Sequence, residues 1–256
     1  MRTVWALSKL MIKEAFRKKD FYVVFVLIAL ILIYAGQLQF YNIGNVVRYL
    51  REIGLALIFL FSVLLTVPLA ARQYPSESQN RTLPILMAKP VARWEFIFGK
   101  FTGACLAGIS CFTIFFSFFM MITLTKTDAY SPIIMVQTLY CYSLNLILLS
   151  SMAIAFSFCL TYSANVAVTV TFYFLMDIYG AHLKQMSQNL IWPLKGLGNA
   201  CYYLLPHFEF FDLRQRFIHE WNPISLQLTG FLTLYAGVYT FFFLILAWWQ
   251  FRRRFV

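Results

Sequence analysis

From Phe101 to Leu124, and again from Ile133 to Leu160, no residue carries a charge. Ile53–Ala71 is a third such run. A bilayer's hydrocarbon core is crossed by about 20 apolar residues in helical form. In lipid only a helix or a closed barrel satisfies its own backbone groups. The composition carries the argument to the whole chain. Of its 256 residues, 61% are of hydrophobic type and 12% are charged. A soluble domain carries about 25% charged residues, so a water-soluble globule is excluded. Disorder, which needs low hydrophobicity, is excluded too. The fold class expected is an all-α integral membrane protein with six transmembrane helices, one domain over residues 1–256 without a separate soluble catalytic domain.

The spans are placed at about Phe21–Gly36, Ile53–Ala71, Phe101–Leu124, Ile133–Leu160, Val166–His182 and Leu228–Phe251. The fourth is long enough that it must tilt or project. Residues 1–19 set Val4, Leu7, Leu10, Met11 and Ala15 against Arg2, Lys9, Lys13, Arg17 and Lys18. That is a basic amphipathic helix lying along a membrane surface. The first apolar run is expected to remain as a span, since no small-residue cleavage site follows it. Residues 183–227 are too polar to span yet rich in aromatics, and Pro193, Pro206 and Pro223 break them. They read as short helices dipping into an interface from the extracytoplasmic side.

Net charge is +11. In a soluble protein such a balance raises nucleic acid as a partner. Here it fits basic residues flanking spans, with the bilayer as partner and no nucleic acid. With the N-terminus, residues 72–100, the turn Thr161–Asn165 and the C-terminus on one side, that side holds fourteen of the 21 Lys and Arg and the other seven. The richer side faces the cytoplasm, so both termini are inside (N-in/C-in), in a multi-pass protein of the inner, cytoplasmic membrane.

Enzyme chemistry is not written here. There is no HExxH, no GxSxG and no GxxxxGK[ST] phosphate loop. Cys105, Cys111, Cys141, Cys159 and Cys201 form no CxxC and read as small buried hydrophobes. His182, His207 and His219 share no metal-ligand spacing, and no metal or cofactor is expected on this chain. Asp177 is the exceptional carboxylate inside a span. It either snorkels to the outer interface or lines a polar path, in which Thr169 and Phe172 would join it. The hydroxyls Ser110, Thr113, Ser117 and Thr171 suit helix packing better than a lining.

The informative segment is residues 77–100. Leu83 and Leu86 make an apolar stub, Lys89-Pro90 stops a helix, and Arg93 opens another that feeds the third span. An apolar knob on a polar cytoplasmic loop suits docking to another protein; a membrane-surface helix without a partner is the other reading. The pattern E-x4-T-L-x2-L-x3-P-x2-R-x6-K, met at Glu77, Thr82, Leu83, Leu86, Pro90, Arg93 and Lys100, resembles that of the ABC-2 type permeases, membrane subunits of ATP-binding-cassette exporters. Where such permeases usually carry Gly before Thr-Leu, Arg81 stands here, and Pro84 follows Leu83. Leu205-Pro206-His207-Phe208-Glu209 adds a likeness to the permeases associated with copper-enzyme maturation and gliding motility.

The resemblance implies a coupling helix over Glu77–Arg93, Arg81 included, seated on a separate nucleotide-binding subunit that carries ATP and Mg. It implies a lesser second contact at Tyr162, Ser163 and Asn165. It also implies a re-entrant helix pair containing Pro206, His207, Phe208 and Glu209, and a second permease subunit, identical or homologous, with spans 1 and 5 near the dimer axis. The function expected is a permease exporting an amphipathic or lipid-like substrate, since the spans offer little charge to an ion. The alternative is a non-transporting membrane anchor or assembly subunit driven by such an ATPase. A membrane enzyme acting on lipid would need an ionisable cluster at one depth, which the sequence does not offer.

Overall fold

The computed structural model describes residues 2–17, 19–37, 46–75, 93–124, 132–188, 205–219 and 221–254. Among them there is helix and no strand. In chain order the helices are α1 (Arg2–Arg17), α2 (Lys19–Gln37), α3 (Val46–Ala71), α4 (Arg93–Leu124), α5 (Pro132–Ser157) and α6 (Tyr162–Gln188). A 3-10 turn at Phe208–Phe211, α7 (Arg214–Ile218) and α8 (Leu226–Arg254) follow. Among the described residues four stretches are long and apolar enough to cross a membrane: Leu50–Pro75, Trp94–Leu124, Pro132–Ser157 and Leu226–Arg253. The apolar part of α2, Phe21–Tyr34, is shorter. Helix α6, which carries Asp177, is not among the four.

Helix α4 begins eight residues before its apolar run, because nothing between Arg93 and Lys100 breaks a helix. Helix α5 ends at Ser157 and α6 begins at Tyr162, so the turn lies earlier than Thr161–Asn165. The physical reason is Asn165. Its Nδ2 donates to the Ala153 carbonyl at 2.8 Å, near the end of α5, and its Oδ1 accepts from Thr169 at 3.0 Å. Its side chain ties the two helices together from inside α6, and the chain reverses before it.

Helix α1 makes its broadest contact with α4. Gly103 lets the backbones meet: a Cβ there would sit 2.7 Å from Met11 Sδ and 3.1 Å from Ser8 Cα. Ser8 Oγ, 2.7 Å from Thr102 Oγ1, closes the seam. At Gly108 on the same helix a Cβ would meet the β-branched Thr66 of α3 at 2.5 Å. Close approach at small residues is how helices associate where lipid is as apolar as the side chains. Behind these seams, α2, α3, α4 and α7 enclose Leu32, Leu55, Phe112, Phe115, Phe119 and Phe217, all nearly fully buried. A second core gathers α3, α5, α6 and α8 around Leu148, Leu149, Phe208, Phe211 and Phe251.

Gly103→Val should part α1 from α4, since the Ser8 backbone cannot move out of the way. Overpacking of this kind costs about 1–3 kcal/mol. Thermal unfolding in detergent should show a lowered midpoint, and a cysteine at Ser8 should become labelled in the variant alone. An unchanged midpoint with Ser8 still protected would contradict the seam.

Candidate functional site

Two ends of the bundle bear on function. At one end, Pro75 leads into residues 76–92 and Arg93 brings the chain back. Glu77, Arg81, Thr82, Leu83, Leu86 and Pro90 lie outside the described residues, and of Arg93 only the backbone is described, as the first residue of α4. The two roots of the segment are built into one aromatic cluster. Tyr74 lies 4.6 Å from Phe158, ring centre to ring centre, and Phe158 lies 5.6 Å from Phe251. Phe251 stacks on Phe96 at 5.8 Å. Tyr74 lies just beyond the end of α3, Phe96 is in the first turn of α4, Phe158 sits in the α5–α6 turn, and Phe251 is near the end of α8. Each such ring pair adds about 0.5–1.5 kcal/mol beyond its burial, so the roots cannot shift independently of the turn and of α8. Lys100 of the motif is buried beside this cluster, its Nζ 5.7 Å from the Phe96 ring.

The α5–α6 turn opens outward at the same end. Tyr162 and Ser163 are exposed, while Asn165 is fully buried in the clasp already described. A surface contact here is therefore open to Tyr162 and Ser163. Asn165 holds the turn that presents them.

Further along α6, Asp177 is not left to snorkel. Arg214 Nη2 donates to its Oδ2 at 3.0 Å and also pairs with Asp212 Oδ2 at 2.6 Å. The Asp177 side chain retains 9% of its exposure. Burial alone would lower the Arg214 guanidinium, but the hydrogen bonds and charges of Asp212 and Asp177 outweigh it and hold the group firmly protonated. The guanidinium also lies 5.5 Å from the centre of the Phe59 ring. That ring stacks on Tyr142 at 3.8 Å, and the Tyr142 hydroxyl donates to the Phe59 carbonyl at 2.6 Å. One arginine thus joins α6, α3 and α5 to the segment before α8. The sequence carries a signal for this pair: a carboxylate within a span calls for a cation, and Arg214 lies in the next polar stretch.

Thr169 is fully buried, and its hydroxyl is spent on Asn165. Phe172 packs edge-on against Phe208 at 6.3 Å. These two therefore line packed contacts in this conformation. Ser110 and Thr113 likewise bond to carbonyls of their own helix, at Ala107 and Ile109. Pro206, His207 and Phe208 are buried, and Glu209 is partly so. The His207 N–H donates to Tyr235 Oη of α8 at 2.9 Å, and its ring stacks on Phe210. Burial pushes the His207 imidazole below its ordinary value, the hydrogen bond with the Leu205 backbone opposing, so it is neutral at pH 7. Phe217 of α7 reaches Phe116 and Phe119 of α4. Residues 205–219 thus form a plug seated among the ends of α3, α4, α5, α6 and α8. Among the described residues no three His, Cys, Asp or Glu side chains gather as a metal would require.

Removing one member of a buried pair leaves an uncompensated charge, a loss of about 3–5 kcal/mol. Arg214→Gln should cost that much, since two carboxylates lose their cation. Asp177→Asn should cost less, because Asp212 still faces Arg214. In a thermal-melt cycle the double variant should be more stable than Arg214→Gln alone; strictly additive losses would show that the pair does not couple.

A search of curated proteins finds no match to the chain. The model of the ABC-2 family transporter protein matches residues 5–255. That match runs through every helix described here, including the plug and both roots of the coupling-like segment. The chain belongs to the ABC-2 transporter family and is a multi-pass transmembrane permease.

Proposed function

We propose that the chain is the membrane half of an exporter whose ATP-binding-cassette ATPase is a separate subunit. It spans the bilayer six times, α2 and α6 completing the four longer apolar helices, with both termini in the cytoplasm. Residues 77–93 form the helix that docks on the ATPase through Leu83 and Leu86, with Glu77, Arg81, Thr82, Pro90 and Arg93 shaping or charging it. Tyr162 and Ser163 make the lesser contact. ATP and Mg stay on the ATPase, and this chain contributes no catalytic residue. A second copy of the permease, or a homologue, completes the path.

The observation that carries this reading is the aromatic cluster of Tyr74, Phe96, Phe158 and Phe251, within the family frame. It ties both roots of the docking segment to the α5–α6 turn and to α8. A pull on that segment therefore reaches helices across the bundle. ATP can shift such a permease only by the difference in its affinity for the two arrangements. The interior of one subunit is filled by Phe112, Phe115, Phe119 and Tyr142. A path between two subunits, or one opened by rearrangement, fits that packing better than a pore through one. The scarcity of charge along the helices favours an amphipathic or lipid-like cargo.

The test is reconstitution with the ATPase in vesicles. Arg93→Glu and Glu77→Arg should insert at wild-type level and melt at the wild-type temperature. The part of ATP turnover that depends on the permease should fall about tenfold, the effect of some 1.4 kcal/mol of lost coupling. Wild-type turnover in both variants would remove the docking assignment.

A further inference from the structure

Two recesses meet at the elbow where α1 turns into α2. One is a cleft of about 310 Å³ with an apolar wall of Phe21 and Val24 of α2 and Leu64, Leu65 and Pro68 of α3, and a polar side formed by Arg72 and Tyr162. The other, of about 490 Å³, is lined by Leu10, Lys13, Glu14, Arg17 and Arg72. Arg72 borders both. The apolar cleft has about twice the volume of a dry engineered cavity that takes up benzene, enough for a length of hydrocarbon chain. Lys13 and Arg17 stand one helical turn apart on α1, both exposed. Among the described residues neither has a carboxylate partner. Arg72 is held by Glu14 at 3.4 Å, but both side chains are 40% exposed or more, and an exposed pair of this kind is weak. A doubly acceptor-rich anion can take Arg72 over without a large loss.

We propose that this elbow holds one anionic phospholipid, its phosphate on Lys13, Arg17 and Arg72 and a stretch of acyl chain in the Phe21–Leu64–Pro68 cleft. Charge and shape agree on that occupant: Lys13, Arg17 and Arg72 line a recess that adjoins, through Arg72, a cleft with an apolar wall, and α1 carries Trp5 and Leu10 exposed beside its basic residues, as a helix lying on a membrane does. The site rests on the reading that this end faces the inner leaflet. An acidic protein surface would use the cations but leave the cleft empty. The lipid braces α1 against α3 through Arg72, close to the start of the segment proposed to dock on the ATPase.

The measurement is native mass spectrometry of the full chain purified in neutral detergent, with phosphatidylglycerol and phosphatidylcholine supplied in equal amounts. One phosphatidylglycerol should be retained about tenfold over phosphatidylcholine. Lys13→Gln/Arg17→Gln and Arg72→Gln should abolish that preference. Leu64→Trp, at a partly exposed position on the cleft, should weaken retention of both lipids; Val24→Trp serves should it fail to fold. Equal retention of the two lipids would overturn the proposal. So would full retention in folded cleft variants, as expected of an acidic protein surface, or displacement by equimolar glycerol phosphate, as expected of a site for free phosphate. Because the readout uses the permease alone, its failure leaves the ATPase coupling untouched, and failure of that coupling leaves the lipid site standing.

Discussion

Within hydrocarbon, a polar group that finds no partner in the protein finds none at all. The packing of this permease follows from that constraint. Most hydroxyls turn back on their own helices: Thr66 on Ser62, Thr138 on Ile134, Ser151 on Leu148, Ser157 on Ile154. Amides do longer work. Gln137 exchanges two hydrogen bonds with the backbone of Ile224, at 2.8 and 2.9 Å, and so fixes where α8 enters. Asn165 closes the α5–α6 turn. Arg214, the costliest group of the set, is met by two carboxylates and an aromatic face, and that grouping locks residues 205–219 into the bundle.

The two ends therefore differ in kind. The end with Arg214 is fastened by charge and hydrogen bonds, which are directional and stiff. The end from which residues 76–92 depart is fastened by aromatic rings, which tie the roots to the turn and to α8 without directional bonds. Under the proposed coupling this is a workable division: a docked ATPase displaces the ring-packed end, and the polar end serves as the fixed point about which helices rearrange. The seam at Gly103 packs α1 against α4, the helix that Phe96 roots in the ring cluster.

Much of the fold was legible because helix length and the absence of charge are local properties. Leu124, Ala71 and the close of the last helix near Arg252 fall where composition changes. The start of α4 at Arg93 is legible from Lys89-Pro90, while hydropathy marks only where lipid begins, at Phe101. The misplacements have physical reasons. The α5–α6 turn precedes Asn165, because a polar residue near a turn can point inward as readily as outward. The sequence offers six apolar runs where the described residues hold four helices long and apolar enough to cross a membrane: α6 carries Asp177 and hydroxyls that dilute its apolar character. For the site, sequence pattern picked out the motif at residues 77–100, here proposed as a docking segment, and the Asp177 anomaly. It could not reach the Asp177–Arg214 pair or the ring cluster, whose members are separated by tens to hundreds of residues and become neighbours only in three dimensions.

The most direct test of the account is purification of the chain from its native membrane in mild detergent, followed by identification of what accompanies it. The account predicts a stoichiometric nucleotide-binding subunit that is lost on Leu83→Asp while the permease itself stays folded. Recovery of the chain alone, or with a membrane enzyme and no ATPase, would contradict it and bring the assembly-subunit reading forward.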